Sequence, residues 1–152
     1  MLRELDISWQ TALFEFRLAP LETRRDIAML GVIHRTLLGL GPPHFSSFFQ
    51  LSPHRHSSRR HPFQVLDTRQ PGRRLCMLDR SIVGLIWVYN LLPFEAVSTR
   101  SVSDFQKILQ LIVKYFCLSA HPHWPFSLSN RMSASSHPLL SLPRNWILSL
   151  LE

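Results

Sequence analysis

Ser101-Val102-Ser103-Asp104-Phe105-Gln106-Lys107-Ile108-Leu109-Gln110-Leu111-Ile112-Val113-Lys114-Tyr115-Phe116-Cys117 decides the fold class. Phe105, Ile108, Leu109, Ile112, Tyr115 and Phe116 recur at the three- and four-residue intervals of a helix face, with Gln106, Lys107, Gln110 and Lys114 opposite. Ser101 is a natural N-cap. Asp104, three residues on, is placed to return a hydrogen bond to it, as in a capping box. This is an amphipathic helix, and its apolar face needs partners.

Working outward, Ile82 to Leu92 is an apolar run of eleven residues, interrupted by Asn90 and stopped by Pro93. Its length and the proline favour a helix capped by Asp79 or Ser81, while its β-branched and aromatic content keeps a strand as the alternative. Upstream, Leu21 to Leu38 carries Ile27, Leu30, Ile33, Leu37 and Leu38 on one side, widened by Met29 and Val32. Gly39 suits a left-handed C-cap, and Gly41-Pro42-Pro43 ends the helix sharply. Pro43 to Phe49 is expected to form a short helical turn presenting Phe45, Phe48 and Phe49 to the core. Leu5 to Arg17 has Leu5, Trp9, Ala12, Leu13 and Phe16 at helical spacing and stops at Pro20. The expected fold is mainly α: a small irregular bundle of about four to five helices.

Two stretches break this pattern. Leu51 to Arg74 holds six arginines and three histidines against the single acid Asp67, with three prolines. It is expected to be a long basic loop, with Phe63-Gln64-Val65-Leu66 able to pair as a short strand. Residues 119–152 are rich in serine and proline with Glu152 as their only acid, a composition unsuited to a core of its own. The division is therefore a helical module at 1–118, with its basic loop at 51–78, and a poorly ordered or loosely docked tail at 119–152.

Composition narrows the chemistry. The 152 residues carry 17 basic and 10 acidic side chains, a net charge of +7, and 15 of the basic residues are arginine. Cys76 and Cys117 are too few for a disulfide scaffold or a four-cysteine zinc module and are expected to be free, buried thiols. Neither a secretory leader nor a span of about 20 apolar residues is recognised, so the expectation is intracellular, nuclear or cytoplasmic, and neither secreted nor transmembrane. The ten acids are scattered. Glu4 with Asp6 and Glu22 with Asp26 form the closest pairs, both expected on exposed helix faces, whereas metal-dependent phosphoryl transfer needs clustered carboxylates. His54, His56 and His61, and His121 with His123 near Cys117, lack the spacing of a zinc site and are expected to be exposed loop histidines. His34, mid-helix among apolar neighbours, is expected to be a hydrogen-bonded core or rim residue. No catalytic residue, metal site, cofactor or small-molecule substrate is assigned.

The basic loop is the one feature with a natural partner. Arg55, Arg59, Arg60, Arg69, Arg73, Arg74 and Arg80 present guanidinium groups suited to phosphate oxygens, and Phe63 to stacking on a base. They are the candidate contacts to an RNA or DNA backbone. A solvated loop that serves solubility is the plain alternative.

Three segments, taken in order, resemble a known pattern. Arg24-Arg25-Asp26 through Leu37-Leu38-Gly39-Leu40-Gly41-Pro42-Pro43 is similar to "R…L-L-x-Y-K-x-L-N-G-x-A-P-P", which follows the catalytic core of jockey-type non-LTR retrotransposon reverse transcriptases. Arg80-Ser81 with Tyr89-Asn90-Leu91-Leu92-Pro93 resembles that family's "R-S-F…W-N-x-L-P". Ser101 to Leu109 resembles its "S-x-x-x-F-K-x-x-L" helix. Order and spacing agree from about Leu18 to Lys114. The resemblance implies a non-catalytic, post-catalytic helical region of an RNA-directed DNA polymerase, without the polymerase aspartates or the endonuclease. The end after Cys117 departs from the pattern and looks like read-through into unrelated sequence. The alternative is a small helical protein-interaction module using the Ser101 to Cys117 face or exposed tryptophans.

Overall fold

The computed structural model describes residues 21–53, 61–67, 81–119 and 137–140. Within them the chain is mainly helical: α1 (Leu21–Leu37), α2 (Ile86–Leu91), α3 (Phe94–Val97) and α4 (Val102–Ser119), with 3-10 turns at Pro43–Ser47 and Pro138–Leu140. No helix among them is long and apolar enough to cross a membrane. The expected helix at Leu5 to Arg17 lies outside the described residues.

α1 forms where its apolar spacing placed it. Glu22 favours its N-terminus, and Arg35 its C-terminus, through the helix dipole. It ends in a Schellman motif: the Gly39 N–H donates to the Thr36 carbonyl and the Leu40 N–H to the Arg35 carbonyl, each at 3.0 Å. Gly39 takes a φ of 74°, the left-handed conformation that a side chain disfavours. The following turn starts at Pro43, but only Phe49 is buried there. Phe45 is half-buried and Phe48 is 62% exposed. Of the three expected to face the core, Phe49 is buried in it and Phe45 packs against it, while Phe48, just past the end of the 3-10 turn, faces outward.

The apolar run 82–92 is helical rather than extended, but shorter than expected. Residues 81–85 form turns and the helix begins after Leu85, with no side-chain cap. Ser81 therefore does not cap it, and Asp79 lies outside the described residues. Pro93 ends α2 and starts α3, whose amides at Ala96 and Val97 return to the Pro93 carbonyl. α3 was not expected: four residues are too few to show a period.

α4 is the amphipathic helix its spacing requires. Phe105, Leu109 and Ile112 are fully buried, and the Ser101 hydroxyl caps the Asp104 N–H at 3.3 Å. The Asp104 carboxylate accepts from Lys107 at 3.2 Å. α1 crosses α4 closely at Gly31, where an added Cβ would meet the Gln106 amide nitrogen. Gln106, expected on the solvated face, is thus half-buried over the crossing. Leu30, Ile33, Ile86, Val88, Tyr89, Leu92, Phe105, Leu109 and Leu139 form one hydrophobic core. Leu139 brings residues 137–140, from the serine- and proline-rich stretch, into that core: α4 and α2 both pack on Pro138–Leu140.

Candidate nucleic-acid interface

The seven candidate arginines, Arg55, Arg59, Arg60, Arg69, Arg73, Arg74 and Arg80, lie outside the described residues, as do Cys76, His54, His56, His121, His123, Glu4 and Asp6. The described parts of the basic stretch are Leu51 to Pro53 and its central anchor, His61 to Asp67. Leu51 and Val65 form an antiparallel bridge, with the Ser52 N–H donating to the Gln64 carbonyl at 2.6 Å and the Leu66 N–H to the Gln50 carbonyl at 2.8 Å. The short pairing expected around Phe63 to Leu66 is present as this single bridge.

On its other side no second strand pairs with Val65 among the described residues, and one side chain takes that place. Asn90 of α2 accepts from the Val65 N–H at 2.7 Å through Oδ1 and donates from Nδ2 to the Val65 carbonyl at 2.9 Å. A primary amide carries one acceptor and one donor group, so it matches both polar groups of a residue in extended backbone. Gln64 adds to this by donating to the Asn90 carbonyl at 2.9 Å and the His61 carbonyl at 3.0 Å. The anchor of the basic stretch is therefore held by backbone hydrogen bonds on one edge and by α2 on the other.

His61 corrects the expectation of an exposed loop histidine. It is 4% exposed and its Nε2 lies 2.9 Å from the Tyr89 carbonyl, with its ring edge-on to the Tyr89 ring. Its Nδ1 has no hydrogen-bond partner. Burial holds its pKa below the ordinary histidine value, against the smaller opposing effect of the carbonyl bond. His34 is the hydrogen-bonded core residue expected: it is 1% exposed, Nε2 is 2.9 Å from the Thr99 carbonyl, and Nδ1 is 2.9 Å from the Tyr89 hydroxyl. Its ring stacks on Phe105 with centroids 4.2 Å apart. Burial lowers its pKa too, and pushes the Tyr89 phenol well above its ordinary value. Both histidine rings are held by packing and by a backbone carbonyl, with Nδ1 of His61 left unpartnered. No nucleophile faces them among the contacts described, and no group of three or more histidine, cysteine or carboxylate side chains among the described residues could hold a metal.

Asp26 is a second correction. Expected on an exposed helix face beside Glu22, it is buried, with its Oδ2 3.4 Å from Nε2 of buried His137. Four residues from Leu30, it falls on the apolar stripe of α1, where its partner from residue 137 could not be foreseen. Asn90, Gln64 and His137 were likewise absent from the candidates. Only Asn90 carried a signal, as the lone amide inside an apolar run. The α4 face offered for a protein partner is buried in the core, and Trp87 is half-buried. No protein-family model, curated protein or solved structure matches this chain.

Proposed function

We propose that the chain is a non-catalytic helical module of the kind that follows the polymerase core of jockey-type retrotransposon reverse transcriptases, and that it binds RNA or DNA backbone weakly through the basic stretch between Arg55 and Arg80. The supporting observation is that the three segments carrying the resemblance meet in one cluster. His34 stands where the pattern has tyrosine and Tyr89 where it has tryptophan. They hydrogen-bond to each other, while Phe105, at the pattern's phenylalanine, stacks on His34. A pattern whose residues hold one another explains why order and spacing persist without any catalytic group. In the sequence the seven arginines flank, on both sides, an anchor fixed to this cluster through His61 and Asn90.

The test is fluorescence anisotropy of the full chain with a labelled single-stranded RNA and a DNA duplex across a salt series. Affinity should fall linearly on a log–log plot, with a slope near the number of phosphates engaged, and differ little between sequences. Absence of saturable binding at low salt removes the reading.

A second reading, a small helical protein-interaction module, is favoured by one observation. Phe63 and Phe94 stack in parallel with centroids 6.4 Å apart while remaining 39% and 47% exposed. Salt-insensitive capture of a protein partner, abolished by Phe94→Ser, would support it over the first.

A further inference from the structure

Residues 137–140 occupy the core as a ligand occupies a groove. Pro138 and Leu139 are buried, Leu139 completely, and the segment packs against α4 and α2. At its head, His137 lies edge-on to Trp87 of α2 with ring centroids 6.1 Å apart. Its Nε2 faces Asp26 of α1 at 3.4 Å, an electrostatic contact longer than a good hydrogen bond. Its Nδ1 accepts the Leu139 N–H at 3.3 Å. An imidazole that accepts at Nδ1 carries its proton on Nε2, the atom turned to the carboxylate. Three helices thus contribute three separate contacts: a carboxylate for the imidazole, an indole for its edge, and a closed apolar hole for one leucine.

We infer that this groove between α1, α2 and α4 is a recognition site for a His-Pro-Leu-Leu segment, filled here by the chain's own residues 137–140 and able to take the same tetrapeptide from outside. The occupant seated in it defines the chemistry of that partner. Proline at the second position has its φ preset, which lowers the entropy lost on docking. The leucine supplies apolar burial, and the imidazole sets direction by meeting Asp26 at one end. Because the chain's own copy is tethered, it competes at high effective concentration, so added peptide enters only when that copy is weakened.

The experiment uses the full chain and a fluorescein-labelled peptide of residues 136–141, Ser-His-Pro-Leu-Leu-Ser. Leu139→Asp expels the internal copy, and the variant should bind the peptide at least tenfold more tightly than the parent. Asp26→Asn added to that variant should weaken binding at least threefold, and a peptide with aspartate at the Leu139 position should not bind. Far-UV circular dichroism checks that helicity is retained. If Leu139→Asp does not fold, Leu139→Ala, which removes only the side chain filling the hole, takes its place and must also bind more tightly than the parent. Peptide uptake no better than the parent's in the folded variant overturns the proposal.

Discussion

The Nδ1 of His34 and the hydroxyl of Tyr89 lie 2.9 Å apart across 55 residues of sequence, joining α1 to α2 inside the core. Nε2 of His34 faces the Thr99 carbonyl and so must donate. In the neutral ring that burial favours, Nδ1 is then the acceptor and the Tyr89 hydroxyl the donor. Each polar atom of the pair has a partner, which lets two polar rings sit where water does not reach.

Tyr89→Phe keeps the packing of the ring and removes that donor, leaving Nδ1 of His34 buried without a partner. The expected loss is about 1–3 kcal/mol, the penalty for an unsatisfied buried group rather than the smaller net value of one hydrogen bond. Urea unfolding measures it. Combining Tyr89→Phe with His34→Leu should cost less than the sum of the two single changes, because the orphaned Nδ1 is then gone and only the Thr99 carbonyl loses its donor. Strict additivity of the two changes would show that the contact carries no coupling.

Stability should depend on pH through His34 and His61, whose folded pKa values both lie below the ordinary 6.5 because burial disfavours the charged ring. Below about 6.5 the unfolded chain takes up protons that the folded chain refuses, so their contribution is complete above that value and is lost as pH falls. The slope is at most about 1.4 kcal/mol per pH unit for each ring. Urea midpoints at pH 7.5, 6.5 and 5.5 should fall mostly across the lower interval, and His34→Gln should flatten that fall. A midpoint constant between pH 6.5 and 5.5 contradicts the assignment of both rings as buried neutral groups.

What the sequence disclosed and what it did not divide along the range of the interactions. α1 and α4 were legible because a three-four apolar repeat, a Gly39 C-cap and a Ser101 N-cap are all local signals. α3 was not, since the preset φ of Pro93 and a single helical turn leave no period to detect. The three polar anchors, Asp26 with His137, Asn90 with Val65 and His61 with the Tyr89 carbonyl, pair residues 25 to 111 positions apart. Local patterning assigns such side chains to solvent by default, which is why Asp26 and His61 were both expected outside. For the candidate interface, the charge is legible in the sequence, and the structure describes the anchor at 61–67 that lies between the arginines in the chain.

Gly31 offers a test of the helix crossing. A Cβ there would collide with the Gln106 amide, which is the far end of a flexible side chain and free to turn outward. Gly31→Ala also gains about 0.8–1 kcal/mol of helix propensity. The two effects should nearly cancel in the single variant, whereas Gly31→Ala with Gln106→Ala should raise stability by about 0.5–1 kcal/mol, read as an increase in Tm. Gly31→Leu, which fills the crossing with more than one atom can yield, should cost about 1–3 kcal/mol through overpacking. If the double variant is less stable than the parent, the Gln106 amide is not what the crossing presses against.

The proposed interface separates charge from anchoring, and two sets of substitutions address them independently. Replacing Arg59, Arg60, Arg73 and Arg74 with alanine removes four cations, so both the affinity for RNA and the slope of log affinity against log salt should fall, the slope by up to about 3–4. Asn90→Ala leaves every cation in place but removes both hydrogen bonds that fix Val65 to α2, at 2.7 and 2.9 Å. The anchor then loses its match on that edge, with a cost of about 1–3 kcal/mol wherever the Val65 amide stays buried. Because the same phosphates are still reached by a less preorganised segment, Asn90→Ala should weaken binding while keeping the parent's salt slope. Asn90→Asp is the sharper control: it keeps an acceptor for the Val65 N–H but turns a carboxylate toward the Val65 carbonyl, so it should weaken binding at least as much as alanine. Equal binding by the parent and the quadruple arginine variant places the nucleic-acid contact elsewhere. An Asn90→Ala slope that falls in step with the arginine variant shows that the anchor and the charges are not separate parts.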